Sequence, residues 1–326
     1  MAALGLLLAF RLALPKGETS IAAALSDAWR VPVVEGLLWF GLAWTILGSG
    51  LVVGATRFHV LLRGAGLEVA IGRLFRSYLV ASFFNFILPG VILGDVYRLW
   101  DTRLDTGEGS KVLGIVALER LLGLAALGTI ALAVAPAIVL PGDDRQLLWL
   151  LVATGASFVL LTGSVLLPAV NRMLRDGARR LERLSPRLAA TSERALSAVA
   201  GVAARPGVVA RAFALSLVSQ AVLVGAVAIL AVPLDATVPW YWFAVIVPFV
   251  TLITLVPVSI GGAGVRELLY VTLFGAVGMR AEAALALSLS VSAAALVWSL
   301  LGLALFAARR RSGHSPVSRA AKGELH

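Results

Sequence analysis

The 326-residue chain contains no cysteine, which excludes disulfides, thiolate catalysis and cysteine-ligated metals. Histidine is almost as scarce. His59, His314 and His326 lie far apart, so no histidine-rich metal site is expected. Charge is thin as well. Only 14% of residues are charged, while 60% are apolar, and the mean hydropathy is +0.94. A soluble globular chain is about 25% charged and roughly 45–50% apolar. Both departures point to lipid as the solvent. No G-x4-G-K-[ST], H-E-x-x-H or G-x-S-x-G motif occurs. An ATP-driven pump, a zinc protease and an esterase of those types are therefore unsupported. No cofactor is expected.

What charge there is leans positive. There are 28 Lys and Arg against 18 Asp and Glu, a net charge of +10. Nucleic-acid binding could produce this balance, but the positives cluster between apolar runs. That is the pattern of topology determinants and of contacts to anionic headgroups, so no nucleic-acid partner is expected. Uncharged stretches run over 36–56, 77–94, 121–140, 146–170, 212–234, 236–265, 268–279 and 283–308. About 20 apolar residues cross a bilayer as a helix. Trp39, Trp44, Trp149, Trp240, Tyr241 and Trp242 stand in or near the ends of such stretches, as interfacial anchors do. Residues 1–14 read as a short first span.

Loop charges set the orientation. Segment 57–76 holds Arg57, Arg63, Arg73 and Arg76, segment 171–211 holds nine arginines, and the tail 309–326 holds five basic residues. All three are expected on the cytoplasmic side, with both termini there, in the inner membrane of a bacterial or archaeal cell. Three apolar stretches separate 76 from 171, an odd number that would put the nine arginines outside. One stretch must enter and return. The best choice is 77–94, with Asn85 and then Pro89-Gly90 in its middle, where a break in the helix is expected. Non-helical backbone at membrane depth is tolerated where protein or a water-filled cavity covers it. Stretch 239–280 repeats the feature with Pro248, Pro257, Gly261, Gly262 and Gly264; four full crossings would satisfy the parity equally well, and the 12-residue length of 268–279, too short to cross, favours the hairpin.

The expected fold is therefore an all-α membrane protein with about six full transmembrane helices and two re-entrant helical hairpins, at 77–111 and 239–280. Each half, 1–140 and 146–308, reads span, span, hairpin, span. The halves start on opposite faces, which makes an inverted repeat, a recurring plan of secondary transporters. Pro89, Gly94 and Arg98 share the spacing P-x4-G-x3-R with Pro257, Gly262 and Arg266. Between the halves, 171–205 mixes arginines with leucines as an amphipathic helix on anionic headgroups does; a solvated topology determinant fits equally.

Charges at membrane depth are costly and usually functional. Asp95 and Arg98 share a helix face at i, i+3. Glu119 and Arg120 are adjacent, face different ways, and need partners elsewhere; Arg98 suits Glu119, and Asp95 suits Arg120. Arg266 and Glu267 follow a glycine cluster, where the start of a helix offers free N–H groups to a phosphate. Ordinary interfacial ion pairs and a glycine packing turn are the plain alternatives. Asn85 fits a helix–helix hydrogen bond better than a ligand contact.

RFHVLLRGAGLEV, FFNFILPGVILGDVYRLW, ALERLLGL and PVSIGGAGVRE, in this order, make the chain resemble the lysylphosphatidylglycerol synthase transmembrane-region family, also called the flippase-like domain family, over about residues 5–308. The resemblance implies re-entrant elements and movement of a lipid between leaflets. It places the family motifs on Pro89, Gly94, Asp95, Arg98, Glu119, Arg120, Gly261, Gly262, Gly264, Arg266 and Glu267. Leu93 stands where the first motif usually has a second glycine. Only 18 residues follow Ala308, so the soluble aminoacyl-transferase domain, and with it lysyl transfer, is not expected. The lipid is then a phospholipid or a polyprenyl-phosphate-linked sugar, driven by an ion gradient or its own gradient. An intramembrane enzyme using Asp95 and Glu119, or an accessory subunit of an envelope-assembly complex, is the alternative. A homo-oligomer is compatible with the sequence.

Overall fold

The computed structural model describes residues 31–87, 92–139, 145–180, 185–234, 238–254 and 263–311. Among these the chain is helical and holds no strand. The helices are α1 (Val33–Gly64), α2 (Ile71–Ile87), α3 (Ile92–Thr106), α4 (Gly109–Val139), α5 (Arg145–Leu166), α6 (Pro168–Arg180), α7 (Pro186–Ala203), α8 (Pro206–Ala231), α9 (Trp240–Thr254), α10 (Val265–Ala276) and α11 (Ala281–Arg311). Segment 1–14, Pro89, Gly261, Gly262 and the tail beyond Arg311 lie outside the described residues.

Four stretches, in α1, α4, α8 and α11, are long and apolar enough to cross a membrane. A fifth arises if α5 and α6 count as one span, although they meet at a 75° bend. Pro168 explains the bend, because proline disfavours helical geometry in the residue before it. On α1, Val33, Val34, Leu37 and Leu38 are all more than 60% exposed. A patch of that kind is unfavourable in water and natural in acyl chains. The protein is a multi-pass membrane protein.

Each stretch read as a hairpin contains two described helices, α2 and α3 in the first and α9 and α10 in the second, while residues 88–91 and 255–262 between them lie outside the described residues. Three readings need correction. Residues 57–64 are not loop. α1 runs through them to Gly64 and stops where Gly66 adopts φ 78°. Leu67 N–H then reaches Leu62 O and Gly66 N–H reaches Arg63 O, a glycine-terminated helix end. Arg73 and Arg76 belong to α2. The basic connector is two helices, not one, because Ser185 accepts from Leu188 N–H and Pro186 opens α7, a fresh N-terminus.

The chain divides into two compact units, each drawn from both halves of the sequence. One comprises 1–50, 79–94 and 221–307; the other comprises 51–78, 95–220 and 308–326. The first has an apolar core of α8, α9, α10 and α11 residues, including Val227, Leu230, Phe243, Val247, Phe274 and Leu287. There Trp44 stacks on Trp298 at 4.8 Å, and Trp298 Nε1 donates to Trp44 O. The second is centred on Phe58, Leu61, Leu62, Ile115, Leu118 and Leu122. In it α4 and α5 approach backbone to backbone. A Cβ on Gly128 or on Gly155 would stand within 2.7 Å of the other's carbonyl oxygen. Small residues are what membrane helices use for such contact, since lipid gives them little hydrophobic drive to associate.

Candidate functional site

The second unit holds a buried ion network around Glu119. Glu119 lies in the third turn of α4 and is 1% exposed. Its Oε1 accepts from Arg57 Nη2 at 2.7 Å, from Arg57 Nε at 3.1 Å and from Tyr78 Oη. Its Oε2 accepts from Arg98 Nη1 at 3.0 Å. Arg98 also donates to Asp95 Oδ1, one turn before it on α3. Asp95 Oδ2 in turn accepts from Arg120 Nε. The remaining Arg57 nitrogen, Nη1, donates to Ser216 Oγ on α8 at 3.1 Å. The Arg98 guanidinium lies 4.3 Å from the Tyr78 ring centroid and 5.1 Å from that of Phe58.

The pairing expected from sequence is therefore present: Asp95 with Arg98, Arg98 with Glu119, and Asp95 with Arg120. Sequence reasoning missed Arg57, Tyr78, Phe58 and Ser216. Arg57 was assigned to a loop; the signal available was the apolar run that continues on both sides of it without a helix breaker before Gly64. Three guanidinium groups face two carboxylates, so the network keeps one formal positive charge. Arginine stays protonated in any such setting. The surplus shows itself at Arg120, whose side chain is 41% exposed against 6% for Arg98.

Asn85 on α2 and Gly94 on α3, in the first unit, face each other. Gly94 N–H donates to Asn85 Oδ1 at 2.8 Å, and a Cβ on Gly94 would collide with the Asn85 amide. Gly94 lies in the first turn of α3, where N–H groups have no intrahelical partner. Asn85 thus supplies one from the preceding helix.

The Arg266–Glu267 pair, also in the first unit, sits at the start of α10. Gly264 caps the helix at φ 83°. Glu267, 2% exposed, turns back so that its Oε2 accepts from Gly264 N–H at 2.6 Å. The helix start is consequently less open than the sequence implied, because its own carboxylate takes one N–H. Glu267 Oε1 also accepts from Ser288 Oγ at 3.3 Å. Arg266 donates to Ser292 Oγ and, at 3.4 Å, to Glu267. Its Nε is buried and has no hydrogen-bond partner among the described residues. Among the described residues no group of His, Asp and Glu side chains suits a metal ion.

Apolar spans around a buried, arginine-rich ion network define a polytopic helical membrane protein with charged groups held inside it. The sequence model of the lysylphosphatidylglycerol synthase TM region matches residues 2–304, so the chain belongs to that family. No curated protein and no solved structure matches it.

Proposed function

We propose that the protein moves a phosphate-bearing lipid, a phospholipid or a polyprenyl-phosphate-linked lipid, between membrane leaflets, and that it catalyses no covalent reaction. The observation that carries this reading is the surplus guanidinium charge of the Asp95–Arg98–Glu119–Arg120–Arg57 network, exposed at Arg120. A cation held in a low-dielectric site by fixed partners is suited to a headgroup phosphate. Arg266 is the counterpart in the other unit, with a donor left unused. Asp95, Glu119 and Glu267 keep these cations in place and balance any headgroup cation. Pro89, Gly94, Gly261, Gly262 and Gly264 supply backbone freedom in the two Pro/Gly clusters, and Asn85 holds the start of α3. The alternative, an acid/base pair of Asp95 and Glu119, is disfavoured because arginines hold both carboxylates.

In this reading the segments 77–111 and 239–280 are re-entrant hairpins of an inverted repeat with about six full spans. Segments 171–211 and 309–326 face the cytoplasm of the inner membrane. Exposed Met173 and Leu174 beside Arg172 and Arg175 support a headgroup-lying α6. The absence of cysteine makes the hairpins testable. Single cysteines at positions 90 and 261 should each react with an impermeant maleimide from one side only, and labelling blocked from both sides would refute the hairpins. The function itself is tested in liposomes containing the full chain and fluorescent phospholipid or polyprenyl phosphate, with dithionite quenching of the outer leaflet. Quenching beyond the outer-leaflet half, dependent on protein, is expected. Intact leaflets together with chemical turnover of the lipid would establish the enzyme instead.

A further inference from the structure

A polar cavity, lined by none of the network residues, opens in the same unit as the network between α3, α4 and α7. It has a volume of about 450 Å³, within the range of small-ligand sites. Arg103 and Arg194 line it with Ser110, Thr191, Trp100 and Leu113. Neither arginine forms an ion pair among the described residues, whereas Arg73 pairs with Asp105 and Lys111 with Glu108. Glu108 also lines the cavity, and Lys111 neutralises it at 2.9 Å. Gly109 gives Arg103 room to lie across the start of α4, since a Cβ there would come within 2.7 Å of Arg103 Cδ. The lining is also apolar in part. Leu113 is 42% exposed and Val96 is 50% exposed, and Trp100 joins them.

The geometry points to a binding site for one anionic phospholipid molecule, its phosphate on Arg103 and Arg194 and its acyl chains against Trp100, Val96 and Leu113. Two guanidinium groups with no ion pair among the described residues call for a phosphate rather than a neutral sugar. The exposed apolar residues of the lining would be unsatisfied by an inorganic ion and are covered by a chain. Ser110 and Thr191 add hydroxyl donors to the phosphate oxygens. The zwitterionic phosphatidylcholine headgroup brings a trimethylammonium group toward the same arginines and should bind more weakly.

The test is equilibrium binding, which does not require transport. The purified full chain in phosphatidylcholine nanodiscs is titrated with short-chain phosphatidylglycerol, short-chain phosphatidylcholine and inorganic phosphate. Phosphatidylglycerol should bind saturably, with the other two at least ~10-fold weaker, since a charge-assisted bond and buried chain area each contribute about that factor. Arg103→Gln combined with Arg194→Gln should weaken phosphatidylglycerol at least ~10-fold at unchanged melting temperature. Thr191→Trp, which fills the cavity and leaves both charges, should do the same. Equal binding of phosphatidylcholine, full competition by inorganic phosphate at equal concentration, or wild-type affinity in either variant would each overturn the site. A chain that binds here and moves no lipid would refute the transport reading and leave this one standing.

Discussion

The two arginines that share the P-x4-G-x3-R spacing come to different ends. Arg98 is saturated. It bonds both Asp95 and Glu119 and is covered by the Tyr78 and Phe58 rings. Arg266 bonds a serine, makes one long contact to its own neighbour, and buries an unused Nε. Their carboxylates differ in the same way. Glu119 gathers donors from α1, α2 and α3, whereas Glu267 closes the first turn of its own helix and touches α11. One motif spacing thus yields a cross-linking centre in one unit and a locally capped helix start in the other. A buried cation fixed between two carboxylates and two aromatic rings is held as structure. The cations with capacity to spare, Arg120 and Arg266, are the ones suited to a ligand.

This contrast can be broken most sharply by transport. Arg120→Gln and Arg266→Ala are each expected to reduce lipid exchange in the dithionite assay to the protein-free background. Both should leave the melting temperature nearly unchanged, because neither guanidinium joins more than two elements and Arg120 is solvent-screened. Wild-type exchange in both variants would show that spare capacity does not mark the ligand site. Asp95→Ala should also abolish exchange, since it frees Arg120 and removes one of the two carboxylates on Arg98, and expression should persist.

Stability gives the next largest effect. Glu119→Ala leaves Arg57 and part of Arg98 buried without counter-charge. Removing one partner of a buried pair costs about 3–5 kcal/mol, which thermal unfolding in detergent would register. Glu267→Ala should cost only about 1–2 kcal/mol, the scale of a lost N-terminal cap. Equal losses would mean that the Glu267 site is as integral as the network. Tyr78→Phe, which deletes one donor to Glu119 and keeps the ring under Arg98, is expected to cost about 1–2 kcal/mol. The smallest effect belongs to Ser292→Ala, about 0.5–1.5 kcal/mol by the same reasoning. A still larger loss there would identify Ser292 as the main anchor of Arg266.

Hydropathy and helix punctuation made much of the helical plan legible. The spans in α1, α4, α8 and α11 fall on uncharged stretches, and the Pro/Gly clusters lie in sequence between α2 and α3 and between α9 and α10. The local pair Asp95–Arg98 was readable from i, i+3 spacing. The boundary of α1 was not, since arginine density alone suggested a loop, and a basic residue inside an apolar helix is judged correctly only once its partner is known. The closure of α10 by Glu267 was also hidden, because the same residues fit an open helix start.

Composition and periodicity fixed that this chain lives in lipid as a set of helices, and that a few charges would have to be sheltered inside it. These are properties of single segments, in which each residue's cost depends only on its solvent. Which charges meet was decided by tertiary packing. Arg57, Tyr78 and Ser216 lie 62, 41 and 97 positions from Glu119, and the network they build with it depends on where α1, α2, α4 and α8 pass one another. An ion pair across such separations is set by distance in space, and no local pattern encodes that.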